Sequence, residues 1–528
     1  MTLKRLPIIL SDDRAFEAFT YRYHQALLHY EQVETGQAVN SDATLEIDRS
    51  GTLHKTAVYS KTMPHNARGE VTAADFDLLT AAVAAGTEAA FDAVPMGDAR
   101  KFVNPRASRT FSPSAQDHFG LTMPAPPALT SRQAAAEMAE CYEYALNRDS
   151  TFALLEDSGT PDTDADRAVT VLNTFGVDFV GPKSGGVVTR KTLFRGAAPG
   201  CDLGPYISQF FYQQIPYGGA LVDQKYAEEM AATSHGTVLA DYLDIQNGMV
   251  FDPTTDLTGS YKYMHTPRIL GSYVHRDAIF QACLDATLIL LNAGAPLDSS
   301  NPLVGAMREE AFVTHGIAEM LQVVTGVSRI ALKAAWVQKW HHHMRIRPEV
   351  MACRVHHQDI ADTDYSIHAD LMSSATVTAV KAFNASGTAL LPLQFPEGSP
   401  AHPSYPQGHG TCIGAGVTVL KALFEESTDI TSLMTVMHST DGDSLAAYGG
   451  STAGMTVGSE LNKLAENVTI GRNWAGVHYR SDGDEGLVLG EKVAISYLRD
   501  LAASYARELS NFPGFSLTKF DGTSIVVK

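Results

Sequence analysis

The sequence predicts a mainly α-helical protein, and two observations carry that prediction. From Tyr273 onward, apolar residues recur at the three- to four-residue spacing that is typical of helices. Runs in which apolar and polar residues alternate, the pattern of half-buried strands, are few. With 528 residues the chain can bury a large core, either as one large domain or as two to three smaller ones.

The elements of the first half are less regular. We divide the chain into an N-terminal helical and loop region, 1–130, and a helical core, 131–528. In the N-terminal region the alanine-rich stretch Ala81–Ala93 predicts a helix. We expect this region to pack on the core or to form subunit contacts. Residues 148–220 are rich in Gly, Pro, Asp and Thr, which predicts long loops.

The core contains four predicted helices. The first three are Ala278–Asn292, Phe312–Met344, and the apolar run from Ala415 to Phe424. The second of these would place Trp336, Lys339 and His343 on one face, and Pro348 disfavours helix at Arg347. The last helix carries one apolar stripe: Ile495, Leu498, Ala502, Tyr505 and Leu509.

Charge and composition exclude several classes of partner. The formal net charge is −19, from 40 basic and 59 acidic residues, which disfavours binding to nucleic acid or to an anionic membrane. No apolar stretch approaches the roughly 18 residues that a membrane span needs. The apolar run within Met1–Leu10 is too short for a signal-peptide core. We therefore expect a soluble protein, cytoplasmic by default.

The cysteines predict no disulfide framework. Five of them are scattered without metal-ligand spacing, and an odd number without an export signal indicates reduced, buried thiols. Cys412 lies three residues after His409 and could act as a nucleophile, but we favour a packing role.

The segment His402–Thr411 is the most informative part of the chain. Pro403 and Pro406 are incompatible with a helix interior, so they predict a rigid, extended arm. The arm delivers Gly408 and His409 to the entrance of the helix that follows. Backbone N–H groups at such an entrance point outward and favour an anion. The arm therefore predicts a histidine beside an anion site.

Cations that could complete this site lie on both sides of the arm. Lys339 and Arg347 precede it, and Arg472 and His478 follow it. Arginine binds oxyanion oxygens through paired N–H donors, while lysine acts as a point charge. The glycines around Arg472 and His478 predict that both residues project from an irregular loop.

These three segments, in this order, resemble the vanadium-dependent haloperoxidases and the related phosphatidic-acid-phosphatase-type acid phosphatases. The family pattern is met by Lys339 with Arg347-Pro348, by Pro406 to His409, and by Arg472 with His478. The spacing of Lys339 and Arg347, and the phrase from Ala475 to Tyr479, resemble the algal and cyanobacterial bromoperoxidases. The resemblance covers about residues 265–500. It implies a core of two four-helix bundles with long loops and selects Arg347, followed by proline, over Arg345.

The resemblance implies a role for each motif residue. His478 would bind the vanadium of vanadate, and His409 would be the acid–base residue that moves protons during peroxide binding. Lys339 would also polarise the bound peroxide for attack by halide. Asp277 would be the carboxylate that braces the motif arginines. The vanadate oxygens would be neutralised by Lys339, Arg347, Arg472 and the N–H of Gly408.

The cavity edge and the partners are also implied by the resemblance. His402 resembles the bromoperoxidases at its position, Trp336 matches a tryptophan found near the site, and Gln338 stands where the red-algal enzymes have arginine. The resemblance therefore implies that bromide and iodide are oxidised and chloride poorly. Hydrogen peroxide, the halide and a small organic acceptor would be the substrates. The resemblance further implies a homo-oligomer. Some relatives hold structural calcium, for which the sequence shows no convincing carboxylate cluster.

Gln407 departs from the family pattern, which has a serine immediately before Gly-His. A glutamine amide can also donate a hydrogen bond, but its longer side chain must fold differently. Loss of one donor to a charged oxyanion would cost about 1.5–3 kcal/mol of cofactor binding. The sequence therefore predicts weaker or altered vanadate affinity, and it predicts that Gln407→Ser tightens binding.

Two other functions remain open at this point. In a soluble acid phosphatase, His478 would be the nucleophile that forms a phosphohistidine, and His409 would protonate the leaving group. In a non-catalytic helical protein, the same site would only bind an oxyanion. The run His341-His342-His343 suggests a metal site, but consecutive helical residues point in different directions, so we favour surface or supporting histidines.

Overall fold

The computed structural model describes residues 14–157, 159–505 and 512–528, and it confirms the mainly α-helical class. The helices of these residues are α1 (Arg14–Glu31), α2 (Ala73–Ala85), α3 (Glu88–Asp92), α4 (Arg132–Leu146), α5 (Phe152–Glu156), α6 (Thr163–Thr174), α7 (Leu239–Asn247), α8 (Pro267–Arg276), α9 (Gln281–Asn292), α10 (Ile317–Val337), α11 (Pro348–Asp359), α12 (Ala369–Met372), α13 (Ala375–Phe383), α14 (Gly408–Leu423), α15 (Val457–Trp474) and α16 (Arg480–Ser504).

The strands are short and form small antiparallel sheets. Strands β1 to β3 make a three-stranded sheet, and the others pair as β4–β5, β6–β7, β8–β9 and β10–β11. Their bounds are β1 (Glu46–Arg49), β2 (Thr52–Lys55), β3 (Val71–Thr72), β4 (Ile215–Tyr217), β5 (Ala220–Val222), β6 (Tyr226–Glu229), β7 (Leu257–Lys262), β8 (Met437–His438), β9 (Ala446–Ala447), β10 (Phe515–Thr518) and β11 (Ser524–Val527).

Helix α14 lies at the centre of the core, between α10, α15 and α16. Glycines allow α14 and α16 to approach with their backbones in contact. A Cβ atom on Gly490 would lie 2.2 Å from the carbonyl oxygen of Thr411, and one on Gly414 would lie 2.6 Å from that of Leu487. This close packing fixes the start of α14, with Gly408 and His409, against the start of α16.

The long helix around Lys339 ends differently from the prediction. Helix α10 stops at Val337 and continues as a π-helical turn, Gln338–His343, which ends at Met344 in the left-handed conformation, with φ +44°. Arg347 then caps α11 from an extended backbone. The predicted single face for Trp336, Lys339 and His343 assumed an unbroken α-helix, and the wider π turn redirects the residues after Val337.

The predictions for the other elements are mostly close. Gly86, with φ +65°, splits the predicted helix Ala81–Ala93 into α2 and α3, and α9 begins three residues later than expected. The loop-rich range 148–220 contains the short helices α5 and α6. In the last helix, Leu498 and Ala502 are buried, while Leu509 and the whole of Met1–Leu10 lie outside the described residues.

Two further features are the absence of a membrane-spanning helix in the described ranges and the burial of the cysteines. Within the described ranges no helix combines the length and apolar character needed to cross a bilayer. All five cysteines are free thiols and buried, as predicted. The Cys412 thiol donates to the carbonyl oxygen of Ser328 at 3.2 Å, and burial raises its pKa well above the ordinary range. These contacts fit the packing role.

The N-terminal region packs directly on the core, while the boundary at residue 130 stays a prediction. Val58, Tyr59 and Met63 share an apolar cluster with Trp336 and Trp340 of the core. The segment also contributes a buried ion pair, in which Lys61 donates to Glu349 Oε1 at 2.8 Å. Burial lowers the pKa of Lys61 to about 8, because the charged form loses its hydration.

This ion pair fixes the loop before the proline arm. Lys61 also donates to the carbonyl oxygens of Glu397 and Ser399, at 2.9 and 2.6 Å. Glu349 accepts from the N–H of Ser399 at 2.8 Å and from its hydroxyl at 2.6 Å. The two buried charges therefore satisfy each other and the polar groups of residues 397–399.

We expect Lys61→Met to lower the free energy of unfolding by about 3–5 kcal/mol, because it leaves Glu349 charged and unpaired in the interior. The measurement is denaturant-induced unfolding. A matched control is Lys381→Met, which removes a more exposed lysine that pairs with Asp359 at 2.6 Å and should cost about 0–1 kcal/mol. Equal losses for the two variants would contradict the role assigned to the buried pair.

Candidate active site

The ends of several helices meet at one cavity of about 390 Å³. Its walls come from the end of α8, from α10, from the proline arm and the loop before it, from the start of α14, from the end of α15, and from the loop between α15 and α16. The lining residues are Val274, His275, Asp277, Ile279, Leu332, Trp336, Phe395, Glu397, Gly398, Pro400, His402, Gly408, His409, Arg472 and His478. The structure thus brings three separate sequence motifs to one place.

Arg347 lies behind the cavity wall and is held from several sides. Its guanidinium donates to the carbonyl oxygens of Val477 at 2.7 Å and of His402 at 2.8 Å. It also donates to His478 Nε2 at 2.7 Å and to His402 Nδ1 at 3.0 Å. Burial lowers its pKa to about 10. Arg347 therefore connects the proline arm to the His478 loop.

Lys339 supports the same arm from the π-helical turn. Its ammonium donates to the carbonyl oxygens of Pro403 and Ser404, at 2.6 and 2.7 Å. Burial and then the neighbouring charge of Arg347 hold its pKa well below the ordinary range. An anion near this ammonium would offset both effects.

His478 is held in one tautomer by Asp482. The ring donates from Nδ1 to Asp482 Oδ2 at 2.8 Å, and Nε2 accepts from Arg347. Ser404 donates its hydroxyl to the same carboxylate oxygen, and Arg345 donates to the other one at 2.7 Å. Burial and the charge of Arg347 keep the pKa of His478 well below its ordinary value. Nε2 therefore carries a lone pair, as a metal ligand requires.

The contacts of Arg345 show why it does not serve the cavity. Its guanidinium bridges Asp482 and Glu137, with 2.8 Å to Glu137 Oε2, and its charge lies 4.0 Å from the ring centroid of Tyr479. Arg345 therefore supports the loop of His478 from behind, and Arg347 is the arginine next to the cavity.

Arg472 stands on the last turn of α15, not on the irregular loop predicted for it. Gly471 brings α15 close to α8, and Arg472 donates from one terminal nitrogen to the carbonyl oxygen of Val274 at 2.7 Å. Its Nε is buried and has no hydrogen-bond partner within the described chain. Burial lowers its pKa to about 10. His478 does lie in a loop, between α15 and α16.

His409 and Asp277 form a histidine–carboxylate pair in the cavity wall. The ring donates from Nε2 to Asp277 Oδ1 at 2.9 Å. The sequence predicted that Asp277 braces the motif arginines; its hydrogen bond goes to His409, and it reaches Arg472 only through its charge. Asp277 follows α8 directly, and Arg472 hydrogen bonds to the backbone of that helix instead. The carboxylate therefore orients His409.

Two residues predicted at the cavity edge, His402 and Trp336, line the cavity together with Gly408, which was predicted to bind the oxyanion. The rings of His402 and Trp336 are 4.8 Å apart, and the indole N–H donates to the carbonyl oxygen of Val103 at 3.1 Å. A Cβ atom on Gly408 would lie 3.3 Å from Leu332 Cδ1 and 3.5 Å from Trp336 Cζ3. A side chain at this first residue of α14 would crowd the cavity wall.

Gln338 does not reach the cavity, contrary to the prediction. Its amide donates to Gln37 Oε1 and to the carbonyl oxygen of Leu121, both at 2.9 Å, because the π turn points it toward the N-terminal region. The neighbouring histidines also diverge, since His341 bonds to Ser108 and His343 to Gln338. Over the described ranges, no group of three or more His, Cys, Asp or Glu could hold a metal ion.

Gln407 also turns away from the cavity, so the predicted cofactor contact is wrong for this conformation. Its amide donates to the carbonyl oxygen of Thr469 at 3.0 Å, and its Oε1 is buried without a partner among the described residues. The room it enters exists because the adjacent positions on α14 and α16 are Gly410 and Gly483. The longer side chain therefore packs between these helices.

We expect Gln407→Ala to leave the dissociation constant of orthovanadate within about twofold of the wild type, because the amide does not face the cavity. Calorimetric titration of the metal-free protein is the measurement. The loss of the bond to Thr469 should lower the unfolding free energy by about 1 kcal/mol. Affinity that drops by tenfold or more would show that the amide rotates to the oxyanion.

Sequence reasoning missed several residues of the site. Asp482 could have been recognised, since it lies four residues after His478 at the start of a helix. No sequence pattern pointed to His275, Phe395 and Glu397, because they come together from positions about 120 residues apart and match no motif.

Comparison with known proteins gives consistent matches. Residues 320–507 match a family model described as the second helical-bundle domain of VCPO. Vanadium-dependent bromoperoxidases of Corallina pilulifera and Ascophyllum nodosum are 33% and 31% identical to this chain. The first alignment covers 81% of this chain and 80% of the relative, and the second covers 94% and 90%.

A solved structure agrees with these relatives. The homohexameric second vanadate-dependent bromoperoxidase from Ascophyllum nodosum superposes with a TM-score of 0.88 at 26% identity. The match covers 99% of this chain and 92% of the other. The similarity therefore extends over the N-terminal region as well as the helices around the cavity.

Proposed function

This chain belongs to the vanadium-dependent haloperoxidases, and we propose that it uses hydrogen peroxide to oxidise bromide and iodide to a hypohalous-acid equivalent that halogenates small organic acceptors. It is a vanadium bromoperoxidase-type enzyme, and vanadate is the cofactor that the family implies. One observation supports the proposal most strongly. His478, with its lone pair at Nε2, and His409, paired with Asp277, line the same cavity as Arg472.

The donors around the cavity fit a tetrahedral oxyanion. Arg472 Nε is buried without a partner within the described residues, and the N–H of Gly408 is one of the four that a helix start leaves without an intrahelical acceptor. We propose that His478 binds the metal through Nε2. Lys339, Arg347, Arg472 and Gly408 would hold the oxygens. Bound vanadate would supply a Lewis-acid centre that activates peroxide without a change in oxidation state.

The residues of the chain then manage protons and orientation. Oxidation of bromide by peroxide consumes one proton and gives hypobromous acid and water. His409 can move protons in this reaction, since Asp277 fixes its ring and one edge of the ring faces the cavity. Asp482 keeps His478 in the tautomer in which Nε2 carries no proton, and it neutralises the charge of Arg345.

The halide preference rests on the cavity edge. His402 and Trp336 lie in the wall next to His478, and they support the proposed preference for bromide and iodide over chloride. Gln338 does not support this halide preference, because its side chain faces the N-terminal region. The organic acceptor would react with the released hypohalous acid.

The experiment that tests the proposal starts from metal-free protein. We would add orthovanadate, then peroxide and bromide, and follow bromination of a β-diketone. Vanadate-dependent bromination is the expected result. No bromination, together with hydrolysis of an aryl phosphate that His478→Ala abolishes, would favour the acid phosphatase instead. If neither activity is found, the remaining function is that of a non-catalytic oxyanion-binding protein.

We also propose a homo-oligomer, as for the homohexameric relative from Ascophyllum nodosum. Exposed apolar side chains on α1, among them Phe19 and Leu28, offer a surface for subunit contacts. Light scattering after gel filtration should give a mass that is a multiple of 56.9 kDa. Structural calcium stays a proposal without an assigned site.

A further inference from the structure

A second histidine–carboxylate pair lies in the cavity wall and has no part in the function proposed above. His275 donates from Nε2 to Glu397 Oε1 at 2.7 Å. Its ring lies flat on the ring of Phe395, with centroids 3.8 Å apart and an interplanar angle of 11°. All three residues line the cavity. The side chains of His275 and Glu397 are only 12% and 17% exposed, so the pair is largely withdrawn from water.

The carboxylate of this pair is ionised. Burial raises the pKa of Glu397, but the hydrogen bond and the electrostatic interaction with His275, together with a backbone hydrogen bond and the charge of Arg100, outweigh burial and lower the pKa to about 2. An ionised carboxylate repels an oxyanion, so Glu397 is not one of its ligands. Glu397 and Asp277 are the carboxylates whose charges act on Arg472, which lies 5.5 Å from the ring centroid of Phe395.

The position of Glu397 is fixed by its backbone. Lys61 and Arg100 both donate to its carbonyl oxygen, at 2.9 and 3.0 Å. The next residue is Gly398, with φ +63°, where a Cβ atom would lie 2.7 Å from Glu349 Oε2. Glu397 Oε2 and His275 Nδ1 are buried and have no hydrogen-bond partner in the described part of the chain. The pair therefore has a defined place and unused polar atoms.

Several charged neighbours of the pair are matched by other partners. Arg276 binds Glu229, Lys61 binds Glu349, and His409 binds Asp277. Arg472 differs, since its Nε has no hydrogen-bond partner among the described residues and the charge of Glu397 acts on it.

We propose that Glu397, oriented by His275, sets the affinity of the cavity for halide by placing a negative charge in the cavity wall beside Arg472. The inference rests on the proposed oxidation of bromide. A halide ion that enters beside Arg472 is repelled by this charge, and the repulsion is stronger in a water-poor cavity than in bulk water. The charge of Glu397 therefore raises bromide KM. Neutral hypobromous acid leaves without this barrier.

Glu397→Gln tests the proposal, because it keeps the size and an acceptor oxygen but removes the charge. Bromide KM should fall about three- to tenfold, with kcat within about twofold. Glu397→Asp keeps the charge and should retain the wild-type bromide KM within about twofold. Glu309→Gln removes an exposed carboxylate that does not line the cavity and should change nothing.

His275→Gln tests the packing of the pair, because the amide can still donate to Glu397 and leaves its carboxylate in place. Bromide KM should therefore stay within about twofold of the wild type. The double variant His275→Gln/Glu397→Gln should have the low KM of Glu397→Gln. This cycle separates the charge of Glu397 from the packing of the pair.

A binding measurement separates failure of this inference from failure of the proposed function. Calorimetric titration of metal-free Glu397→Gln with orthovanadate should show a dissociation constant about three- to tenfold lower than that of the wild type. If the wild type oxidises no bromide, the proposed function fails, and this titration still tests the charge. Unchanged bromide KM and unchanged vanadate affinity in Glu397→Gln, at the wild-type unfolding temperature, would overturn the inference. If Glu397→Gln does not fold, a wild-type bromide KM in the double variant His275→Gln/Glu397→Gln would overturn it.

Discussion

Replacing His478 with alanine is expected to abolish vanadate-dependent bromination and to weaken vanadate binding beyond the detectable range. The ring is held by Asp482 at Nδ1, and its unprotonated Nε2 accepts from Arg347 at 2.7 Å, so alanine removes the oriented lone pair that would bind the metal. Loss of a supporting partner such as Asp482 typically costs about 10–100-fold in metal affinity. Loss of the ligand itself should cost more. Equilibrium titration of metal-free protein with orthovanadate, followed by the bromination assay, measures both effects.

Two further variants make this expectation specific. Asp482→Asn should keep activity but lower vanadate affinity by about 10–100-fold, because the amide no longer fixes the tautomer of His478. His342→Ala removes a half-buried histidine that does not line the cavity and should behave as the wild type. If His478→Ala still bound vanadate with wild-type affinity, the assignment of the metal ligand would be wrong.

His409→Ala should have the second-largest effect, and it should act on turnover. A positioned acid–base residue contributes about 10²–10⁴-fold to the rate, so kcat for bromide oxidation should fall by that factor. Vanadate affinity should change by less than about tenfold, because His409 is bonded to Asp277 and the cations of the cavity remain. Steady-state kinetics at saturating vanadate separates the two quantities.

Asp277→Asn provides the companion measurement. It keeps the shape of the pair but removes the charge that orients His409, so kcat should fall by less than in His409→Ala, and the pH dependence of kcat should change. A loss of vanadate affinity without a loss of kcat at saturation would contradict the proposed proton transfer. It would instead make His409 part of the oxyanion cage.

The fold class and the main elements could be predicted from the sequence because they depend on local periodicity. The start of α14 at Gly408 follows from the prolines before it and the apolar run after it. The π-helical turn that carries Lys339 could not be predicted, because tertiary contacts decide the local winding. Gln338 donates to Gln37 and to the backbone of Leu121, both in the N-terminal region.

The motif residues could be named from the sequence because their short spacings match the family pattern. The direction in which each side chain points could not be predicted. Gln407 was expected at the cofactor, but Gly410 and Gly483 leave space between α14 and α16, and the amide turns there. Asp277 lies in the cavity wall, and its hydrogen-bond partner there is His409. Which partner this carboxylate finds depends on how α8 packs against α14, and no local sequence pattern encodes that packing.

Contacts between residues distant in sequence could not be predicted either, because they too depend on how the elements pack. His275 and Glu397 match no motif, and neither residue type is unusual at its position. Only the packing of the loop against α8, fixed by Lys61 and Arg100 from the N-terminal region, brings them together. The N-terminal region therefore shapes the cavity, although the sequence alone suggested only packing or subunit contacts.

The most direct test of the site is a crystal structure of the protein with vanadate, with the metal located by its anomalous scattering. We expect one vanadium position in the cavity, bonded to His478 Nε2, with Arg347, Arg472, Lys339 and the N–H of Gly408 around the oxygens. The bond between Arg347 and His478 should then be broken. Vanadium at another place, with this bond intact at 2.7 Å, would contradict the account.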